Sequence, residues 1–252
     1  MALYNKTGRA GTVVTVLVGG LTTMLMSMSV QAAGIGLGAV RLIYDQKAGQ
    51  VTLPVRNTSS TPYLVSSRVA LTPDSHESTP FIVSPPLFRL EGNGQGMLRI
   101  IGNPQSLPPD RESVFYVTVA GIPSSNPLSR DDKQGFDVAG GLKFAFGNTI
   151  KLFYRPTGLP SSATEAAKGV RFTHVGNSVK VENPSAYYVT FQTLTLNGHT
   201  VKFSKTQPDM LTPFGSMTLP AGRAFPISQA GKVSWAAVVD MGNLVSANGV
   251  IQ

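Results

Sequence analysis

Large apolar residues at 142, 144 and 146, with small or charged residues between them, mark one long strand. It reads Gly141-Leu142-Lys143-Phe144-Ala145-Phe146-Gly147-Asn148-Thr149-Ile150-Lys151-Leu152-Phe153-Tyr154-Arg155-Pro156. Alternation with period two puts Leu142, Phe144 and Phe146 on one face. At roughly 3.3 Å per residue the stretch 142–154 would span about 40 Å, far beyond an ordinary strand. Pattern alone favours Phe144 and Phe146 as core of a sandwich, because inward and outward faces look alike in sequence. The alternative is a strand held out to a partner. Shorter runs repeat the β pattern: Val51-Thr52-Leu53-Pro54-Val55-Arg56, Tyr63-Leu64-Val65-Ser66-Ser67-Arg68-Val69, Met97-Leu98-Arg99-Ile100-Ile101 and Val114-Phe115-Tyr116-Val117-Thr118-Val119. Asn57-Thr58-Ser59-Ser60 and Glu91-Gly92-Asn93-Gly94 read as turns. Helical periodicity is almost absent, so the expected class is all-β, built of sandwiches.

Composition shifts divide the chain. Arg155-Pro156 ends the long strand, and Gly158, Pro160, Ser161 and Ser162 follow. Ser162-Ala163-Thr164-Glu165 has capping-box spacing and predicts one helical turn over 163–168. A second β unit of about 90 residues then begins. It includes Val170-Arg171-Phe172, the run 178–182, a strand over 187–196, the hairpin signal Asn197-Gly198 with Val201-Lys202-Phe203 as its partner strand, and strands near 216–219 and 232–239. Trp235 is expected in its core. The predicted units are a leader over 1–32, a first domain over 33–157 and a second over 158–252. The polar connection 124–141 is too long for a hairpin, and long structureless loops of this kind are usually functional or disordered. It is expected to be mobile in the free protein.

The leader carries Lys6 and Arg9, then two mostly apolar runs over 13–18 and 21–30, then Val30-Gln31-Ala32. Charged, apolar and small in that order predicts export with cleavage after Ala32, or after Ala33. No later stretch approaches the roughly 18–20 continuous apolar residues of a spanning helix, so the mature chain is not expected to insert in a membrane. The chain has no cysteine, so each domain is held by its own core and thiol chemistry is excluded. Net charge is +8, and losing Lys6 and Arg9 from the acid-free leader leaves +6. No five-residue window is rich in Lys and Arg, so nucleic acid is not an expected partner.

Catalytic constellations are absent from the pattern. His76, His174 and His199 lie far apart without a second ligand at metal-binding spacing. There is no Gly-x-Ser-x-Gly elbow. Asp131-Asp132 sits in a polar loop and reads as a solvated pair. Gly92-Asn93-Gly94-Gln95-Gly96 precedes a strand, not a helix, so it is no phosphate loop. The expectation is a protein without enzymatic activity, cofactor or metal.

One further run carries weight: Leu107-Pro108-Pro109-Asp110-Arg111-Glu112-Ser113-Val114-Phe115-Tyr116-Val117-Thr118, with Ile122-Pro123 beyond it. Together with Ile150-Lys151-Leu152-Phe153-Tyr154-Arg155-Pro156 and Ala39-Val40-Arg41-Leu42-Ile43-Tyr44, it resembles the periplasmic chaperones of the chaperone–usher pathway, the PapD-like family. Thr118 stands where that family usually has Asn. The resemblance covers essentially the whole mature chain and is most specific in the first domain. It implies two immunoglobulin-like β-sandwich domains set at an angle with a cleft between them.

Roles carry over residue by residue as implications of the resemblance. Arg41 and Lys151 match two basic cleft residues that bind the C-terminal carboxylate of a fimbrial or pilus subunit. Leu142, Phe144 and Phe146 match the strand donated to the subunit's groove by β-addition. Burying three such side chains is worth roughly 5–9 kcal/mol before ordering costs. Glu112, Arg155 and Asp240 match an interdomain charge cluster. Partners implied are fimbrial subunits, an outer-membrane usher and, when unliganded, a second copy capping the apolar strand. The implied location is the periplasm.

Two departures stand out. The 124–141 connection resembles the long-loop subfamily, yet the Cys pair usual there is missing. Parity is the second: 142, 144 and 146 are even and Lys151 is odd, so a shared face requires a bulge or twist, with Gly147-Asn148 as the natural place. The competing reading is a secreted adhesive or structural sandwich, perhaps a fibre component. It would need an N-terminal donor extension, and only Ala33-Gly34-Ile35-Gly36-Leu37-Gly38 precedes Val40. A carbohydrate-acting sandwich enzyme would need paired carboxylates on strands in a cleft, and the acids here sit mainly in turns.

Overall fold

The structure, a computed structural model, describes residues 34–123, 146–220 and 231–252. The predicted leader, the 124–141 connection, Leu142 and Phe144 lie outside the described residues.

The first sandwich contains β1 (Ile35–Leu37), β2 (Arg41–Asp45), β3 (Gln50–Asn57), β4 (Tyr63–Ala70), β5 (Phe81–Ser84), β6 (Leu87–Leu90), β7 (Gln95–Gly102), β8 (Ser113–Pro123) and β9 (Phe146–Arg155). One sheet runs β1-β3-β7-β5 and the other β2-β9-β8-β4-β6. All pairings are antiparallel except β2 with β9. Alternation does what the sequence pattern requires. Leu53 and Val55, Leu98 and Ile100, Phe115, Val117 and Val119, and Leu152 and Tyr154 all point into one core. Phe81 sits edge-on to both Tyr44 and Phe115, at 4.8 and 4.9 Å between centroids.

The run over 39–44 that resembles the family's first strand forms β2, and a separate strand, β1, precedes it. β1 joins one sheet and β2 the other, with Gly38 between them. A Cβ at Gly38 would lie 2.9 Å from Pro54 Cβ, so only glycine allows the chain to cross so close to β3.

The second sandwich follows a short helix, α1 (Ala163–Lys168). It comprises β10 (Arg171–Val175), β11 (Ser178–Glu182), β12 (Val189–Leu196), β13 (His199–Thr200), β14 (Met210–Leu211), β15 (Ser216–Pro220), β16 (Lys232–Val238), a 3-10 turn (Asp240–Gly242) and β17 (Leu244–Val250). Its sheets are β10-β11-β15 and β13-β12-β16-β17, with β14 also on β12. The serine half of the capping box forms as its spacing predicts. Ser162 Oγ accepts from Glu165 N at 3.2 Å and lies 3.1 Å from Glu165 Oε2. Trp235 is core, and its Nε1 donates to Ala167 O at 2.8 Å, fastening α1 to the sheet. The Asn197-Gly198 turn has both residues at positive φ. The strand expected over Val201-Lys202-Phe203 does not form. His199–Thr200 pair with β12, and Val201 adds one more backbone bond to it, donating to Leu194 O at 2.8 Å with its side chain in the core, before the ladder ends.

Each sandwich contains the same bracket around a buried asparagine. Asn57 Nδ2 donates to Thr61 O and Glu91 O, while its Oδ1 accepts from Ser59 N. Asn183 Nδ2 donates to Tyr187 O and Thr212 O, while its Oδ1 accepts from Ser185 N. One side chain thus satisfies three or more buried backbone groups where two loops meet.

Candidate functional site

Odd positions of β2 and β9 and even positions of β8 turn away from the first core. Among them, Arg41, Lys151, Phe153 and Arg155 meet the second sandwich. Arg41 and Lys151 are Cα partners in the parallel β2–β9 pairing. Tyr116 is the partner of Lys151 on β8. Tyr116, Lys151 and Arg41 therefore form a row across three adjacent strands. The resemblance implies two of the three; in the sequence Tyr116 shows nothing beyond its place in a strand.

Arg41 is 9% exposed. Its Nη1 donates to Val238 O of the second sandwich at 2.8 Å, and its guanidinium lies 5.2 Å from the Phe153 ring centroid. Phe153 in turn packs on Tyr188 at 5.5 Å. Burial pulls Arg41 below its usual pKa, against the nearby charges of Asp240, Glu112 and Asp209. Lys151, 24% exposed at the side chain, is also pulled down by burial, with Asp209 opposing this and Arg41 adding to it. The Lys151 Nζ–Asp209 Oδ1 separation is 3.7 Å. Asp209 gave no sequence signal, since the pair joins positions far apart in the chain and in different sandwiches.

The predicted cluster of Glu112, Arg155 and Asp240 assembles. Arg155 donates from Nη1 and Nη2 to the two oxygens of Asp240 at 2.7 and 2.8 Å, and from Nε to Glu112 Oε1 at 2.8 Å. Glu112 Oε2 accepts from Tyr188 N at 2.8 Å, and Glu112 N donates to Ala186 O at 2.9 Å. Arg155 also lies over the Tyr187 ring. Glu112 is 3% exposed at its side chain. Burial pushes its carboxyl up, while Arg155 and the Tyr188 N–H pull it down. The two carboxylates push Arg155 up despite its own burial. Arg111 over Phe214, at 4.9 Å, adds a contact between the sandwiches.

β9 pairs with β8 in unbroken register from Phe146 opposite Gly121 to Tyr154 opposite Ser113. The bulge expected at Gly147-Asn148 is absent. Phe146 therefore shares its face with Ile150, Leu152 and Tyr154, while Lys151 faces the second sandwich. Phe146 and Lys151 do not share a face, and a continuous ladder leaves no extra residue to change the parity. Phe146 lies beyond the end of the first core and is 58% exposed. The other edge of β9 pairs with β2 only from Lys151 onward. Over 146–150 that edge has no strand partner among the described residues, although Asn148 Nδ2 donates to Ile35 O at 2.7 Å.

No group of three or more His, Cys, Asp or Glu side chains is placed to hold a metal among the described residues. No helix there is long and apolar enough to cross a membrane.

Comparison with known proteins finds two family matches. Residues 34–160 match the N-terminal domain of PapD, described as a pili and flagellar-assembly chaperone, and residues 165–249 match the C-terminal domain of the pili assembly chaperone PapD. The chaperone protein LpfB of Salmonella typhimurium is 35% identical over 218 residues, covering 85% of this chain and 86% of that protein. Among solved structures, the E. coli chaperone DraB has a TM-score of 0.69 at 32% identity, covering 87% of this chain and 97% of DraB. A structure of the Salmonella enterica SafA pilin in complex with the SafB chaperone has a matching chain with a TM-score of 0.71 at 30% identity, covering 88% of this chain and 98% of that one.

Proposed function

Since this chain belongs to the PapD-like family of pilus-assembly chaperones, we propose that it works in the periplasm, without enzymatic activity, by lending the open edge of β9 to an incomplete fimbrial subunit. The subunit's C-terminal carboxylate docks on Arg41 and Lys151. Phe146, with Leu142 and Phe144 ahead of it, enters the subunit's groove. The subunit is then passed to an outer-membrane usher.

The observation that carries this reading is the register of Arg41 with Lys151, at the point where the edge of β9 becomes free. Two buried-side cations can hold one carboxylate by charge-assisted hydrogen bonds, which fixes the register of a strand added alongside. Opposite parity suits this arrangement. The added strand takes Phe146 from one face of β9, while the carboxylate meets Lys151 on the other, at the strand's end. Glu112, Arg155 and Asp240 hold the second sandwich against the row.

Co-expression with each fibre subunit encoded beside this chain tests the reading. The cognate subunit should survive in the periplasm with the wild-type chaperone and be degraded with Lys151→Gln. Equal survival with both removes the anchor.

A further inference from the structure

We propose that Asp209 is a built-in stand-in for the partner's carboxylate: it occupies Lys151 in the free protein and is displaced when the partner's terminal carboxylate arrives. This rests on the anchor reading above.

Three observations carry it. First, the fold and not the ion pair places Asp209. Its backbone carbonyl accepts from Phe191 N at 2.7 Å, and the next two residues, Met210 and Leu211, pair with Thr190 and Val189. The carboxylate is thus presented to Lys151 by the edge of the second sandwich. Second, the contact is loose. At 3.7 Å, with Asp209 47% exposed at its side chain, it differs from the 2.7 and 2.8 Å contacts between Arg155 and Asp240. An open pair of this geometry is weak and is easily exchanged. Third, the neighbouring acids are already engaged. Asp240 and Glu112 bind Arg155, and Arg41 forms no ion pair among the described residues, donating to the Val238 carbonyl. The row therefore holds two cations against one loosely held acid, which leaves net positive charge for an incoming carboxylate. Asp209 weakens the grip on that carboxylate and gives Lys151 a partner as it leaves.

The groups facing the Lys151 ammonium are Asp209 from the second sandwich, Arg41 from β2 and Tyr116 from β8. The test compares wild type with Asp209→Asn. The probe is a ten-residue peptide of alternating valine and threonine with a free C-terminal carboxylate, set against the same peptide amidated. Asp209→Asn should bind the free acid about two- to five-fold more tightly and the amide unchanged. In the same variant, the Lys151 ammonium, followed by side-chain NMR, should titrate at lower pH than in wild type. An unchanged or weaker affinity in Asp209→Asn, with the wild type still preferring the free acid, overturns this inference and leaves the anchor standing. An unmoved Lys151 titration overturns it as well. If neither protein prefers the free acid, the anchor falls and Asp209's role with it.

Discussion

Arg41 and Lys151, from opposite ends of the first sandwich's sequence, lie side by side as Cα partners in the one parallel pairing among the described residues of that domain. Parallel pairing of β2 with the end of β9 brings the two cations side by side without a turn to connect them. The two are held differently. Arg41 is tied to the second sandwich by its bond to Val238 O, whereas the ion pair of Lys151 among the described residues is its loose contact with Asp209.

This difference predicts unequal effects on stability. Arg41→Ala removes a hydrogen bond between the sandwiches and the stacking on Phe153, and should cost about 1–3 kcal/mol. Lys151→Gln removes a partly desolvated charge whose pKa burial has lowered. It should change stability by less than about 1 kcal/mol. Urea unfolding of both variants checks this, and the reverse order would contradict it. Both should lose subunit binding.

Glu112 is the most deeply buried acid of the charge cluster, and Arg155 is its counter-ion. Arg155→Ala leaves that carboxylate with only the Tyr188 N–H, at a cost of about 3–5 kcal/mol. Glu112→Gln should cost less, because an amide oxygen still accepts from Tyr188 N and Arg155 keeps Asp240. Chemical denaturation of the two variants against wild type gives the order.

The same residue sets a pH dependence. Burial raises the Glu112 carboxyl above its usual value of 4.5 in the folded state. Between the unfolded and folded values the native state holds more protons, so this group's contribution to stability falls as pH rises. Wild type should lose stability relative to Glu112→Gln as pH climbs from 4.5 through that window, and the difference should be flat above it. Unfolding free energies of the pair across the acid range decide it; a difference that moves the other way rejects the assigned direction.

Phe146 separates folding from binding. It is exposed and packs on no core, so Phe146→Ser should change the free protein's stability by less than about 0.5 kcal/mol. If it enters a subunit's groove, the same change should weaken binding by about 1.5–3 kcal/mol, roughly ten- to hundred-fold. Thermal melting and subunit affinity, measured on one preparation, show whether the two effects part.

Local pattern in the sequence was enough for the longer strands such as β3, β4, β7, β8 and β12, the α1 cap and the Asn197-Gly198 turn, because alternation, a capping serine and positive-φ residues act over a few positions; it gave no sign of the short strands β5, β6 and β14 or of β17. The family motif brought Arg41, Lys151, Glu112, Arg155 and Asp240 into view, and the fold gathers them. What pattern could not supply was anything decided by pairing between distant segments. The crossing of β1 and β2 between sheets depends on how closely Gly38 passes Pro54. The unbroken β8–β9 register replaced the expected bulge, because a ladder's parity is set by its partner strand and not by the glycine within it. The strand expected over 201–203 ends after the bond from Val201 N to Leu194 O. Asp209 reaches Lys151 only because β14 sits on β12.

The most direct test of the account is amide hydrogen exchange along β9 in the free chaperone and in its complex with the cognate subunit. In the free protein, the amides of 146–150 that point away from β8 should exchange fast, since their edge has no strand partner among the described residues. Strand addition predicts that these same alternate amides become strongly protected in the complex, while those bonded to β8 change little. Unchanged exchange at 146–150 in a stable complex would show that the subunit is held elsewhere.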